Sequence, residues 1–359
     1  MQVLYSHGPL KATDNPYLHE LVGGVAAHDE VAFLTPVTAL LSRPDVFHVH
    51  WPKHLVRGSS RWRTALKLAT SAILLWRLRR RGTPVVQTMH NLADHDGETR
   101  AERWLFARLE RLVSARIYLN ESAENDYTQG VVVLHGSYRD WLERTAGLTY
   151  PLAAPERSLL LFGMLRPYKG IETLIEAAAV AGVDLTLAGA PTPASYGAEI
   201  GSLLAAHPDQ ELVERHLDDA ELVSLTQQHR LVVLPYRSMY NSGALLYALS
   251  VGRAVLTGRT PATESLVEEF GPGWVRLYDA PLSAADVSTA LADLDRTDRT
   301  GSATEDTPEL PSMARREWAD GVALHRAIYA TVRAGSPTDN RARLAQVPAL
   351  VAHSARNRP

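Results

Sequence analysis

The chain has 359 residues, 45% of them hydrophobic and 21% charged, with a formal net charge of −3. That length suits two domains of ordinary size, and the composition is that of a folded globular protein rather than a fibrous or disordered one. The charge balance argues against a general nucleic-acid binder, and the absence of cysteine excludes disulfides, thiolate zinc sites and thiol catalysis.

MQVLYSHG opens the chain as a strand running into a loop, without the charged start and apolar core of a secretory signal. No apolar run approaches the roughly 20 residues that span a bilayer, so a cytoplasmic protein with at most peripheral membrane contact is expected. Apolar runs at 2–7, 30–35, 46–50, 85–88, 116–120 and 131–134 read as strands, and 61–81 and 98–113 as helices. Strands alternating with crossover helices predict a parallel sheet covered on both faces. Polar residues gather where these strands end: His7-Gly8 with Asn15-Pro16-Tyr17 beyond, then His48, His50 and Trp51, then His135-Gly136. QTMHNLADHDGE brings His90, Asn91, Asp94, His95 and Asp96 to one strand-to-helix loop. Carboxylates beside imidazoles suit proton removal, although an Asp at this place would equally cap the next helix.

Between Lys53 and Arg81 there are nine Lys or Arg and no acid. Leu66, Ala69, Ile73, Leu74 and Trp76 fall at roughly helical spacing there. Two readings stand side by side: a basic amphipathic helix on an anionic membrane, or a core-packed helix with a solvated basic face.

The stretch 138–157 loses the rhythm and carries Gly147, Pro151 and Pro155, so it reads as a linker. Strands then resume at 159–162, 184–188, 231–234, 254–256 and 274–278, with helices at 170–181, 218–228, 242–251 and 284–294. A polar loop is expected over 295–311 and a last helix over 315–333. Asp293-Leu294-Asp295 sits at a helix end and is assigned no role. The organisation expected is a first domain over 1–150, a second over 151–314, a helix at 315–334, and a loose tail over 335–359. Ligands in such open α/β domains bind at the carboxyl ends of the strands.

In LLLFGMLRPYKGIETLIEA, Gly163 lets the backbone turn after a strand. Arg166 and Lys169 follow, just before a helix. Cations at a helix N-terminus oppose its dipole, which points to an anion that compensates them, and a diphosphate fits a fork beside a point charge. In VVLPYRSMYNSGALLYALSVGRAVL, a strand ends at Pro235-Tyr236 and Asn241-Ser242-Gly243 opens a helix, a second place for an anion.

These two segments, together with Ala188-Gly189 and Gly252-Arg253-Ala254-Val255, resemble the donor domain of GT-B glycosyltransferases. The resemblance implies an α/β fold of two Rossmann-like, doubly wound domains facing a cleft, with the last helix packing back towards the first. It implies a nucleotide diphosphate sugar as donor, held by Gly163, Arg166, Lys169, Pro235, Tyr236, Asn241, Ser242 and Gly243. The nucleotide sugar is then a substrate, and no cofactor or metal is expected. Retaining members carry two glutamates eight positions apart, where this chain has Met239 and Tyr247. The Asn-Ser-Gly form is similar to bacterial exopolysaccharide β-mannosyltransferases, which use GDP-mannose and invert the anomeric centre. That subgroup also has a His-Asn followed by His and an acid. By this likeness Asp96 or Asp94 would be the base, with His90 and His95 orienting. Asn15, His50, Trp51, Asn91, His95 and His135 would line the acceptor side for a lipid-linked or small-molecule glycan. A nucleotide-sugar epimerase on the same fold and a non-catalytic nucleotide-sugar or glycan-binding protein are the competing readings.

Overall fold

The computed structural model describes all residues except 13, 91–96, 98, 129, 151–155, 238, 300–309, 336–339, 341 and 349–359, with the backbone alone at 156, 157 and 297–299. The chain forms two compact units, Met1–Gly136 with Arg316–Pro359, and Ser137–Arg315.

The first unit runs β1 (Gln2–Tyr5), α1 (Pro16–Ala26), β2 (Glu30–Phe33), α2 (Pro36–Leu41), β3 (Val46–Val49), α3 (Arg61–Arg81), β4 (Val85–Met89), α4 (Arg100–Glu110), β5 (Val113–Tyr118) and β6 (Gly130–Val132). Its strands pair in parallel in the order β2-β1-β3-β4-β5-β6. Local chemistry sets the helix ends. Asn15 accepts from the backbone N–H of Tyr17 to start α1, with Pro16 in the first turn. Thr99 and Glu102 form a capping box at α4, and Gly82 closes α3 in the left-handed conformation.

The second unit runs α5 (Arg139–Ala146), β7 (Glu156–Phe162), α6 (Ile171–Ala181), β8 (Asp184–Ala188), α7 (Ser195–Leu204), β9 (Gln210–Val213), α8 (Asp219–Gln228), β10 (His229–Leu234), α9 (Gly243–Val251), β11 (Ala254–Gly258), α10 (Pro261–Phe270), β12 (Val275–Tyr278) and α11 (Ala284–Arg299). The parallel order is β12-β11-β10-β7-β8-β9. Buried side chains fill both faces, Leu159, Leu161, Leu231 and Val233 on one and Leu160, Val232, Leu234 and Val255 on the other. That explains the continuous apolar strands.

Four expectations are corrected. The boundary lies at Gly136/Ser137, not 150/151. Within the expected linker, α5 is an amphipathic helix whose Leu142 is buried and whose neighbour Trp141 donates to Asp219 at 2.7 Å, which ties it to the second unit. The expected loop from 295 is helical up to Arg299, and 300–309 lie outside the described residues. Part of the expected tail is helical too. Beyond α12 (Trp318–Ala334), which belongs to the first unit, residues 340 and 342–348 are helical, and Leu344 and Val347 enter that unit's core. Helix α12 packs where side chains are missing: a Cβ on Gly24 would meet Val322 at 2.4 Å, and one on Gly136 would meet Trp318 at 2.3 Å.

Gly170 and Gly182 both hold left-handed backbone, at φ +67° and +62°. A Cβ at Gly170 would lie 2.4 Å from the Pro235 carbonyl oxygen, whereas one at Gly182 meets nothing within 4 Å. Gly170→Ala is therefore expected to lower the unfolding free energy measured by urea titration by at least about 2 kcal/mol, and Gly182→Ala by only about 1 kcal/mol, the cost of the backbone conformation alone. Equal losses would mean that the Pro235 contact is not tight.

Candidate functional site

In each sheet the connections reverse direction at one place, between β1 and β3 in the first and between β7 and β10 in the second. The loops on either side diverge there and leave room for a ligand at the carboxyl ends of the strands.

In the second unit this place holds Gly163 after β7 and Pro235 after β10. Gly163 has φ +87°, and a Cβ on it would reach the Lys169 ammonium at 3.4 Å. Lys169 closes a 3-10 turn over Pro167–Lys169 and is only 6% exposed. Its Nζ donates to the Phe162 carbonyl at 3.2 Å and lies 5.1 Å from the centroid of the Tyr236 ring. Burial, and secondarily the charge of Arg166, bring the ammonium down to about 7. Arg166 is half-buried, and its Nε has no hydrogen-bond partner among the described residues. Two cations thus share a strand-end loop, one of them costly to keep charged. An anion bound there would lower that cost.

Ser242 caps α9 by accepting from Leu245 N–H at 3.2 Å, so its hydroxyl serves the helix. The N–H groups of the first turn of α9 have no acceptor within the helix. Gly243 lets the Tyr138 hydroxyl approach, since a Cβ there would lie 2.8 Å from it. Asn241 is half-buried beside this turn. Met239 and Tyr247 are both packed in the apolar cluster around Phe162, Leu234 and Leu246. Neither position presents a carboxylate, and a glutamate at either would have to be buried among these side chains.

In the first unit the strand ends deliver imidazoles. His48 lies inside β3, with Nδ1 2.6 Å from the Tyr329 hydroxyl of α12 and Nε2 2.8 Å from the Thr88 hydroxyl. His50, 1% exposed, follows β3; its Nδ1 is 3.1 Å from Nε2 of His90, which follows β4. Trp51 stacks on His90 with ring centroids 4.2 Å apart. His135 is buried, with Nδ1 donating to the Gly136 carbonyl, and packs on Tyr17 at 4.7 Å. His325 donates through Nδ1 to the Gly321 carbonyl and stands 5.8 Å from His48. Burial pushes all these rings down. His48 and His50 fall well below the ordinary value, His90 reaches about 3, and His135 and His325 reach about 4.

The structure therefore brings His50, His90, Trp51 and His135 together, with His50 and His135 supporting the rim from inside. Asn15 is exposed and acts as the cap of α1. Asn91, Asp94, His95 and Asp96 lie outside the described residues. His325, Tyr329 and Thr88 were not singled out in the sequence. Their only signal is a His and a Tyr four apart on α12, far along the chain from His48. Among the described residues no group of three or more His, Asp or Glu is placed to hold a metal ion.

No protein-family model matches the chain. It is 36% identical over 340 residues to the GDP-mannose:glycolipid 4-beta-D-mannosyltransferase of Xanthomonas campestris pv. campestris, covering 91% of each sequence. Among solved structures it is similar to Anabaena Alr3699/HepE in complex with UDP and glucose, at TM-score 0.55 and 13% identity over 100% of both chains. It is likewise similar to AviGT4, a glycosyltransferase involved in avilamycin A biosynthesis, at TM-score 0.54 and 15% identity over 93% of this chain and 98% of that one. At these identities the structural likeness is one of fold.

The buried histidines make stability depend on pH. A ring kept neutral in the folded state takes up a proton in the unfolded chain below its ordinary value of 6.5. The unfolded state then binds more protons, and stability falls as pH falls. The urea midpoint is expected to be level above about pH 7 and to drop from about pH 6.5 to 4.5, each such ring contributing about 1.4 kcal/mol per pH unit. A midpoint unchanged across that range would contradict neutral buried rings.

Proposed function

The chain belongs to the bacterial β-mannosyltransferase family of GT-B glycosyltransferases and is itself a glycosyltransferase, and from that premise we propose that it transfers mannose from GDP-mannose to a hydroxyl of a glycolipid with inversion at the anomeric carbon. The carrying observation is the buried Lys169 ammonium beside Arg166 at the turn after β7, with the start of α9 in the same unit. The proposal places the donor diphosphate against these groups. As the sugar–phosphate bond breaks, negative charge grows on the leaving GDP, and preorganised cations and helix N–H groups stabilise it without reorganisation. Arg166 and Lys169 supply in this way the positive charge that a metal ion supplies in other phosphate chemistry, and transfer is expected to persist in EDTA.

Inversion is a single displacement, so the acceptor hydroxyl loses its proton as it attacks. Met239 and Tyr247, buried and without a carboxylate, support that reading. A base on the acceptor side is then needed. His90, held at about 3, is no stronger a base than a carboxylate, and its ring is fixed by His50 and Trp51. We assign it an orienting role and keep Asp96 or Asp94 as the base.

A glycolipid acceptor calls for membrane contact, and α3 supports it. Trp62, Leu66, Ala69, Ile73 and Trp76 lie within about 40° of one line down the helix. All are exposed, Trp62 at 69% and Trp76 at 57%. Ser71, Leu74, Leu75 and Leu78 form the opposite, buried face. The two readings of the basic helix therefore combine: one face packs on the core, and the other offers aromatic and aliphatic groups flanked by Arg and Lys. The contact proposed is peripheral, at the cytoplasmic face; among the described residues no helix is long and apolar enough to cross a membrane.

Two measurements test this. GDP and GDP-mannose should raise the melting temperature, and UDP, ADP and TDP should not; Arg166→Ala should weaken GDP binding by at least about tenfold, the worth of a charged hydrogen bond. A shift with no nucleotide, or one untouched by the substitution, would sink the donor assignment. Separately, the protein should sediment with phosphatidylcholine vesicles containing phosphatidylglycerol, less so in high salt, and Trp62→Ser with Trp76→Ser should release it. No sedimentation at low salt would refute the membrane face.

A further inference from the structure

A pocket of about 510 Å³ lies in the first unit, beside the imidazole cluster. It is bounded by the turn after β1 (Ser6–Gly8), the start of α2, the segment before α3 and the first turns of α3 itself. Its chemistry is uneven. Arg57, Arg63, Lys67 and His54 line it, and no Asp or Glu does among the described residues. The charge of Arg57 is offset by Glu102, 2.7 Å away. Among the described residues no carboxylate pairs with Lys67 or Arg63. Lys67 Nζ donates to the carbonyls of His54 and Arg57 at 3.1 and 2.9 Å, which uses two of its three hydrogens. Arg63 donates to the Ser59 hydroxyl and keeps further N–H groups.

The third feature is His7. It lines the pocket, is 9% exposed, and donates through Nδ1 to the Gly8 carbonyl at 2.8 Å. Its Nε2 is therefore the acceptor nitrogen of a neutral ring, and it has no partner among the described residues. A buried acceptor without a donor is costly, so a ligand hydroxyl is wanted there. Gly8 adds room, since a Cβ on it would meet nothing within 4 Å. The pocket also shares Leu66 with the exposed apolar stripe of α3.

Cations for an anion, an acceptor for a hydroxyl, and an apolar track leading away thus meet in one place. We propose that this pocket binds the polar end of the acceptor lipid, with a phosphate or diphosphate ester at Lys67 and Arg63 and an adjoining sugar hydroxyl at His7. This rests on the reading that the acceptor is a glycolipid. The same anion chemistry is offered by free phosphate, so the test separates the two sources.

Calorimetric titration of the full chain with farnesyl diphosphate, below its micelle concentration, should give saturable binding, with farnesol and inorganic pyrophosphate each at least ten times weaker. Lys67→Gln should weaken farnesyl diphosphate binding at least tenfold while the GDP-induced thermal shift stays unchanged. Arg63→Gln, on the exposed side of α3, carries the same expectation should Lys67→Gln fail to fold. Binding that survives both substitutions, or that is lost in Arg166→Ala instead, overturns the proposal, the latter by placing the anion in the second unit. Pyrophosphate binding as tightly as farnesyl diphosphate overturns the lipid source. Absence of any GDP shift, with farnesyl diphosphate binding still dependent on Lys67, would fail the donor reading and leave this pocket standing.

Discussion

Within each sheet all six strands run parallel, and this constraint decides where chemistry can be placed. Parallel strands need crossover helices, which cover both faces and leave only the strand ends open. The carboxyl ends then collect every loop that can carry function. Where the winding reverses, beside β1 and β3 or beside β7 and β10, neighbouring loops part and a ligand has room. His7 and His50 stand at the first such point, Gly163 and Pro235 at the second.

The two units fill these positions with opposite electrostatics. In the second, a buried ammonium is held by a carbonyl and an aromatic face, with a guanidinium nearby. That arrangement is expensive when empty and favourable around an anion, which suits a charged leaving group. In the first, burial keeps five imidazoles neutral, and their hydrogen bonds go to hydroxyls, carbonyls and each other. Neutral rings of this kind fix orientation without adding charge, which suits a polar but uncharged hydroxyl partner. Backbone closeness is a shared device. Gly170 admits the Pro235 carbonyl, and Gly189 admits that of Gly163.

Helix α3 has two unlike faces. Its inner face is core, held by Leu74, Leu75 and Leu78. Its outer face would be an aggregation hazard on a protein that never met an apolar partner, because large exposed apolar stripes are uncommon on soluble surfaces. The membrane contact proposed above would account for both the Trp residues and the surrounding Arg residues.

Much of this was legible in the sequence. Eleven strand positions, the Gly163, Arg166 and Lys169 loop and the Ser242 cap all follow from local chemistry: apolar runs make buried strands, and caps and glycines mark helix ends. The short, polar β9 gave no such signal, and α7 was hidden by Gly197 and Gly201, which weaken a helical pattern. What the tertiary structure decided is everything that joins residues far apart in the chain. The sequence marks His48 as a histidine in an apolar strand, but only folding brings Tyr329 to one of its nitrogens and Thr88 to the other. The sequence shows a basic helix, but only packing decides which side of α3 is core and which is bare. It shows an ending without a clear period, but Leu344 and Val347 are ordered because the first unit has an apolar surface for them to cover. Propensity and capping act over a few residues, whereas burial depends on partners that the chain supplies from anywhere along its length.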